Sequence, residues 1–198
     1  MVTISTGAQA VLTFWFGDPY LPTEGYRDRH PLWFRKRRET DEAIRVQFHS
    51  LYAQAATGEL DAWQESPATC LALIVLLDQF PRNLFRERPQ AFATDAKVLA
   101  IAKAAIASHY DQALPPVQRI FLYLPLEHSE DIADQEQCVA LFEQLVAADS
   151  TLADTYDYAL RHREVIQRFG RFPHRNEILG RTSTPEEVEF LQQPGSRF

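Results

Sequence analysis

The sequence predicts an all-α fold, a single domain of stacked antiparallel helix pairs, from three observations. Apolar residues recur at helical spacing along most of the 198 residues. Capping residues and prolines precede these periodic segments, and glycines or prolines follow them. No segment shows the alternation of apolar and polar residues that is typical of a strand. About seven to nine short helices with tight connections fit a layered helical domain of this length.

In the first half of the chain, each helix is predicted from a cap at its start and a helix-ending residue at its end. The elements in chain order are a helix over residues 8–16 that stops at Gly17, a polar loop over 18–31, a helix opened by Thr40 or Asp41 and closed by Gly58, and a helix opened by Ser66 and Pro67 and stopped by Pro81. The last helix is apolar on every side over residues 68–77, which predicts that it is buried in the middle of the fold.

The second half of the chain is predicted in the same way. Its elements are an alanine-rich helix from Pro89 to about Tyr110, a helix begun by Pro115 and Pro116 that Pro125 kinks or ends, a helix capped by Ser129, a helix from Ser150 or Thr151 to Phe169 that Gly170 caps, and a helix opened by the capping box of Thr184 and Glu187. Residues 193–198 are predicted to form a flexible tail.

The composition excludes several classes of protein. The chain carries 27 acidic and 20 basic residues, a net charge of −7, which argues against general affinity for nucleic acid or an anionic membrane surface. No apolar run approaches the roughly 18 residues of a transmembrane helix, and the N-terminus lacks the pattern of a secretory signal. Cys70 and Cys138 each lie in apolar helical surroundings, so we expect buried free thiols in a cytoplasmic protein.

Charge is distributed unevenly along the chain, and 17 of the 20 basic residues are arginine. Residues 120–160 contain nine acids and no lysine or arginine, whereas residues 161–181 contain six arginines and two glutamates. Residues 27–38 contain six basic residues and one aspartate. Solvated helix faces would explain such runs, but the arginines of 161–181 alternate with bulky apolar residues and prolines. Because arginine binds carboxylate and phosphate groups through paired hydrogen bonds, this segment points to an anion site.

One of these arginines falls on the apolar face predicted for the helix that ends at Phe169. At roughly 100° per residue, Arg163 lies in the middle of the face and His162 on its edge. The apolar residues that define the face are Leu152, Tyr156, Ala159 and Ile166. A buried guanidinium needs acceptors, and Asp78, at the end of the most apolar helix, needs a donor. Asp78 would form a structural ion pair with Arg163 or Arg82, or these residues would line a pocket for an anionic ligand.

Three polar motifs contain the candidate functional residues. They are residues 78–83 (DQFPRN), 126–131 (LEHSED) and 168–176 (RFGRFPHRN). Because carboxylates and imidazoles exchange protons, we expect any acid–base chemistry from the side chains of Asp78, Glu127, His128 and His174. We expect ligand contacts from the arginine, amide and histidine side chains Arg82, Asn83, His162, Arg163, Arg171, Arg175 and Asn176.

Three functions are open at this point. A pocket would bind a small anionic molecule such as a phosphorylated one, with hydrolysis or group transfer as the chemistry to test first. A helical scaffold would bind a peptide or protein in a groove. In a purely architectural protein, the motifs would be buried ion pairs and caps. A metal site is a further alternative, with Glu127, His128, Asp131 and His162 as its ligands, but no metal-ligand spacing supports it and no metal is predicted. No cofactor is predicted either, because the chain has neither a phosphate-binding loop nor a dinucleotide-binding glycine turn.

The motif residues also resemble a known family. Residues 76–83 (LLDQFPRN), 123–131 (YLPLEHSED) and 169–176 (FGRFPHRN), with residues 179–187 beyond them, are similar to the three signatures of an uncharacterised bacterial family, domain of unknown function 924. Residues 14–16 and 91–95 also fit, so the resemblance covers nearly the whole chain. It implies a right-handed array of antiparallel helix pairs like that of tetratricopeptide repeats, and it implies no established activity.

Overall fold

A computed structural model of the chain describes residues 5–17 and 26–197. Every regular element in these ranges is a helix, so the predicted all-α class is confirmed. The chain divides into two compact units, Met1–Arg86 with Gln90–Pro125, and Glu87–Pro89 with Leu126–Phe198. None of the helices described is both long and apolar enough to cross a membrane.

The first unit contains six complete helices and most of a seventh within the residues described. They are α1 (Thr6–Phe16), α2 (Tyr26–Phe34), α3 (Arg38–Thr57), α4 (Pro67–Ile74), α5 (Phe80–Leu84), α6 (Asp95–Ala107) and α7 (Pro116–Glu127). Gly17 and Gly58 end α1 and α3 as predicted, at φ of 92° and 94°, where a residue with a Cβ is strained. Ser66 and Pro67 open α4 as predicted.

Helix α2 lies where the sequence predicted part of a loop. The prediction of a loop over 18–31 is wrong for residues 26–31, while residues 18–25 lie outside the described ranges. Contacts from distant residues account for the helix. The Arg29 guanidinium donates to the carbonyl of Phe14 at 2.9 Å, and the indole of Trp33 donates to that of Trp15 at 2.9 Å.

The buried helix does not stop at Pro81. It passes through a π-helical turn, Val75–Gln79, and continues as α5. Pro81 has no N–H to donate to the carbonyl of Leu77, four residues earlier, and that carbonyl accepts a hydrogen bond from the hydroxyl of Thr94 at 2.6 Å. A side chain 17 residues away therefore satisfies a carbonyl that the proline cannot.

Two further helix starts differ from the prediction. Helix α3 begins at Arg38, so Thr40 lies inside the helix and is not its cap. The alanine-rich helix predicted from Pro89 begins at Asp95, because Thr94 adopts a non-helical conformation with φ −103° and ψ 1°. A separate 3₁₀ turn covers Pro89–Phe92.

An aromatic cluster forms the core of the first unit. Trp15 packs edge-on against Phe80 and Phe121, with ring centroids 5.4 and 5.7 Å apart. All three side chains are fully buried, and burial of such rings is among the largest apolar contributions to the stability of a unit.

The second unit contains α8 (Ile132–Ala148), α9 (Ala153–Phe169) and α10 (Pro185–Phe190). Helices α8 and α9 pack against each other across a short 3₁₀ turn, Ser150–Leu152. Gly170 ends α9 at φ 67°, and Thr184 forms the predicted capping box with Glu187 at the start of α10.

The junction between α7 and α8 corrects two predictions. Pro125 does not end α7, which runs on to Glu127. Asp131, not Ser129, caps α8 and accepts a hydrogen bond from the amide of Ala133 at 2.8 Å. Residues 128–131 thus form a short loop between two helices.

Candidate functional site

His162 lies on the buried face of α9 and is only 5% exposed. The buried residues of this helix are Thr155, Ala159, His162, Val165 and Ile166. Tyr156 and Arg163 are half-buried, so the prediction that Arg163 lies in the middle of the face is wrong. Because Thr155 is buried and Tyr156 is only half-buried, the centre of the buried face lies closer to His162 than the sequence predicted.

The His162 ring has two polar neighbours. Its Nδ1 donates to the carbonyl of Tyr158, one helical turn earlier, at 2.8 Å. This bond selects the neutral tautomer with the proton on Nδ1. An oxygen of the Glu127 carboxylate lies 3.5 Å from the same nitrogen. The imidazole is therefore oriented by a backbone acceptor and faces a buried carboxylate.

His162 is neutral at physiological pH. Its pKa is lowered to about 3, chiefly by burial and also by the nearby positive charges of His128, His174 and Arg175, against the raising effect of the Tyr158 carbonyl. His128 and His174 thus lie close enough to His162 to interact with it electrostatically. The structure brings together histidines from two of the three predicted motifs and from α9.

The ring of Phe172 contacts three of these side chains. It is fully buried, with the ring of His162 at 5.5 Å and that of His174 at 5.7 Å between centroids. The guanidinium carbon of Arg175 lies 4.5 Å from the Phe172 centroid. Arg175 is 7% exposed, and the electron-rich face of the ring stabilises its charge.

Glu127 and His128 reach this region from the end of α7. Glu127 is buried and His128 is half-buried. The loop that follows is held by Ser129, whose hydroxyl donates to Asp134 at 2.8 Å and accepts from the amide of Asp131 at 3.2 Å. Glu127 and His128 thus lie in the same region as His162, and a loop, not one helix face, joins them to Asp131.

Arg171 and Asn176, two predicted ligand-binding residues, both contact Glu187. The guanidinium of Arg171 donates to both oxygens of Glu187 at 2.6 and 2.8 Å, and Asn176 donates to one of them at 3.1 Å. The hydrogen bond from Arg171 is the largest cause of the lowered pKa of Glu187. These contacts fasten the loop after α9 to the capping box of α10, which is a structural role.

Glu130 and Arg181 form a second structural pair that the sequence reasoning missed. Arg181 donates to the two oxygens of Glu130 at 2.7 and 3.0 Å, and Glu130 also accepts from the amide of Phe172 at 2.8 Å. Only the density of charge in residues 161–181 pointed towards it, because the partners are 51 residues apart. This pair fixes the backbone of Phe172.

The first motif belongs to the first unit. Arg82 donates to both oxygens of Asp95 at 2.9 Å and to the carbonyl of Ala91 at 2.6 Å, and it lies 3.9 Å from Asp78. Asn83 donates to Asp41 at 2.8 Å. The predicted pair of Asp78 and Arg82 is present as a long contact, and Arg82 and Asn83 have structural roles. Convergence of this motif with the other two stays a prediction.

The second unit therefore contains one candidate site. We name it the histidine cluster, and it consists of Glu127, His128, His162, Phe172, His174 and Arg175. In the described part of the chain, no group of three or more histidine, cysteine or acidic residues is arranged to hold a metal ion. Cys70 and Cys138 are buried free cysteines, and burial raises the pKa of both thiols, so they are poor nucleophiles.

Comparisons with known proteins identify relatives. The family model of bacterial proteins of unknown function DUF924 matches residues 11–195. Among solved structures, the chain is similar to that of a protein of unknown function, ATU0120, from Agrobacterium tumefaciens. The two share 38% sequence identity with a TM-score of 0.81, over 93% of this chain and 96% of that chain. The comparison with curated proteins gave no match.

Proposed function

We propose that the chain, which belongs to the DUF924 family of bacterial proteins of unknown function, binds a small anionic ligand in its histidine cluster. The observation that carries this proposal is the gathering of Arg175, His128 and His174 around the His162 ring, whose pKa is lowered chiefly by burial and also by these three positive charges. A site that disfavours a proton through positive potential favours an anion for the same electrostatic reason.

The residues of the cluster suit different parts of such a ligand. Arg175 would bind a carboxylate or phosphate group, because its planar donors match two oxygens at once. His128 and His174 are half-buried, so a ligand that enters from solvent would meet them before it meets His162. Hydrolysis or group transfer would use Glu127, His128 or His174 for proton transfer, and this chemistry is an extension of the binding proposal.

The proposal is tested by nuclear magnetic resonance of the six histidines. We expect inorganic phosphate, followed by a panel of phosphorylated and carboxylated metabolites, to shift the ring signals of the cluster histidines His128, His162 and His174. The other three, His30, His49 and His109, lie in the first unit and serve as internal controls. Saturable shifts confined to the cluster would support the site. No shift, or an equal drift of all six signals, would contradict it.

A thermal-shift series with the same compounds provides the second measurement, since a ligand of the native state raises its melting temperature. Arg175→Lys keeps the charge and removes the paired donors, so we expect it to weaken the response. Arg161→Lys is the matched control, because Arg161 is an exposed residue of the same unit that pairs with Asp157 at 2.6 Å. Equal responses in the two variants would count against Arg175.

A further inference from the structure

One side chain from α8 anchors the end of α7. Gln135 is fully buried, and its Nε2 donates to the carbonyls of Glu127 and Ser129 at 2.7 Å each, with that of Leu126 at 3.3 Å. An amide nitrogen carries two N–H donors, so the two short bonds use both of them. Gln135 thus spans the whole turn from the helix to the loop.

These carbonyls need donors from outside their own helix. The last carbonyl groups of a helix have no intrahelical partner, and a buried carbonyl without a donor is costly. The amide of Ser129 supplies one bond, to Leu126 at 3.1 Å. Gln135 supplies donors for the carbonyls of Glu127 and Ser129, so this side chain helps to determine the path of the backbone there.

The anchored carbonyls lie on either side of His128. The carbonyl of Glu127 belongs to the peptide group that begins His128, and the carbonyl of Ser129 lies just beyond it. Fixing both carbonyls fixes the backbone that carries the Glu127 and His128 side chains. We infer that Gln135 is a positioning residue of the histidine cluster, which holds Glu127 and His128 at their places beside His162. The inference rests on the proposed function only for the claim that the histidine cluster binds a ligand.

The loop has other attachments that do not involve Gln135. Ser129 bonds Asp134, Asp131 caps α8, and Glu130 pairs with Arg181. A variant that lacks the Gln135 amide therefore keeps the loop tied to α8 and to the segment after α9. We expect such a variant to fold with Glu127 and His128 displaced, which separates positioning from folding.

The experiment compares Gln135→Met, which has a similar shape and no donor, with Thr155→Val as the matched control. Thr155 is also buried in the second unit and donates to the carbonyl of Leu152 at 2.7 Å. In full-length protein without ligand, we expect the Met variant to move the His128 and His162 ring signals. We expect Thr155→Val to leave them in place. Unchanged ring signals of both histidines in Gln135→Met would overturn the inference.

Phosphate binding gives a second readout. We expect Gln135→Met to weaken the response of the histidine signals to inorganic phosphate by about tenfold or more, because small displacements of contacting groups have large effects. If neither phosphate nor any compound of the metabolite panel shifts the histidine signals of the wild-type protein, the proposed function is wrong. The histidine signals of the ligand-free proteins still test the role of Gln135.

A measurement on the wild-type chain covers the case in which the Met variant does not fold. The side-chain amide protons of Gln135 should exchange slowly with solvent, because both are held in buried hydrogen bonds. Exchange at the rate of an exposed glutamine such as Gln167 would show that the anchor is not made, and the inference would fall.

Discussion

Replacing His162 by asparagine tests whether burial keeps this side chain neutral. Asparagine places an N–H close to the position of Nδ1 and so retains a donor for the carbonyl of Tyr158, which accepts from His162 at 2.8 Å. It removes the titrating ring and its contact with Phe172, whose centroid lies 5.5 Å away. At pH 7.5 we expect the variant to be less stable by about 1–3 kcal/mol, because the packing of the ring is lost.

The pH dependence of stability separates the effect of His162 titration from the effect of the lost packing. The pKa of His162 falls from 6.5 to about 3 on folding, so between these values the unfolded chain binds a proton that the folded chain does not. The contribution to stability is fully present above pH 6.5 and is lost as the pH falls towards 3, by about 1.4 kcal/mol per pH unit. Between pH 7.5 and 5.0, the free energy of unfolding of the wild type should fall by about 2 kcal/mol, because His162 is protonated in the unfolded chain and not in the folded one. The variant has no titrating group at this position and should show no such loss from it.

Urea unfolding followed by far-ultraviolet circular dichroism is the suitable assay. The three tryptophans, Trp15, Trp33 and Trp63, lie in the first unit, so their fluorescence would not report on the unit that holds His162. The pH is kept at 5.0 or above because carboxylates add their own losses below it. Glu187, whose pKa is lowered chiefly by its hydrogen bond with Arg171, stabilises the fold above the unfolded carboxyl pKa and ceases to do so as the pH falls further.

The expected result is a stability gap between wild type and variant that closes by about 2 kcal/mol between the two pH values. Parallel losses in the two proteins would refute the reasoning. They would mean that the folded protein accepts a proton on His162 without penalty, with the Glu127 carboxylate, 3.5 Å from Nδ1, acting as the counter-ion of an imidazolium.

Two further predictions concern the backbone. Thr94→Val leaves the Leu77 carbonyl, which accepts from Thr94 at 2.6 Å, without this donor, and should lower the free energy of unfolding by about 1–3 kcal/mol. Tryptophan fluorescence measures the unfolding of this unit. The control is Thr57→Val, at an exposed position, which should lower the free energy of unfolding by less than about 0.5 kcal/mol. Equal losses in the two variants would contradict the role of Thr94. Gly170→Ala should cost about 1–2 kcal/mol, because Gly170 has φ 67° while no atom lies within 4 Å of an added Cβ. Circular dichroism in urea measures this loss, and an unchanged unfolding midpoint would show that the turn relaxes freely.

Helix ends were predictable from the sequence where they depend on local chemistry. Gly58 and Gly170 end their helices in left-handed conformations, and Thr184 begins α10 through a capping box. Each of these ends is determined by residues within one turn of it, so a local pattern is sufficient to predict it.

Two of the wrong predictions share a dependence on distant partners. Pro81 was expected to stop a helix, but a π-helical turn and the hydroxyl of Thr94 accommodate it. The segment of α2 was expected to be a loop, but Arg29 and Trp33 bond the carbonyls of α1. No local pattern identifies a donor that is 15 or 17 residues away, and such donors decide whether a polar or proline-containing segment remains helical.

The candidate site was predicted in part for the same reason. The sequence located the arginines of 161–181 but not their partners. Arg171 pairs with Glu187 and Arg181 with Glu130, across 16 and 51 residues, so two of the excess charges of this segment are neutralised within the second unit. For these two arginines, the charge excess seen along the sequence is balanced by acidic partners that are distant in the sequence and close in space.

Arg175 differs from these two arginines in the kind of contact that stabilises it. Its guanidinium carbon lies 4.5 Å from the centroid of the Phe172 ring. Arg171 and Arg181 are bonded to Glu187 and Glu130, whereas Arg175 lies beside the rings of the histidine cluster, so the proposed anion site is tested at Arg175.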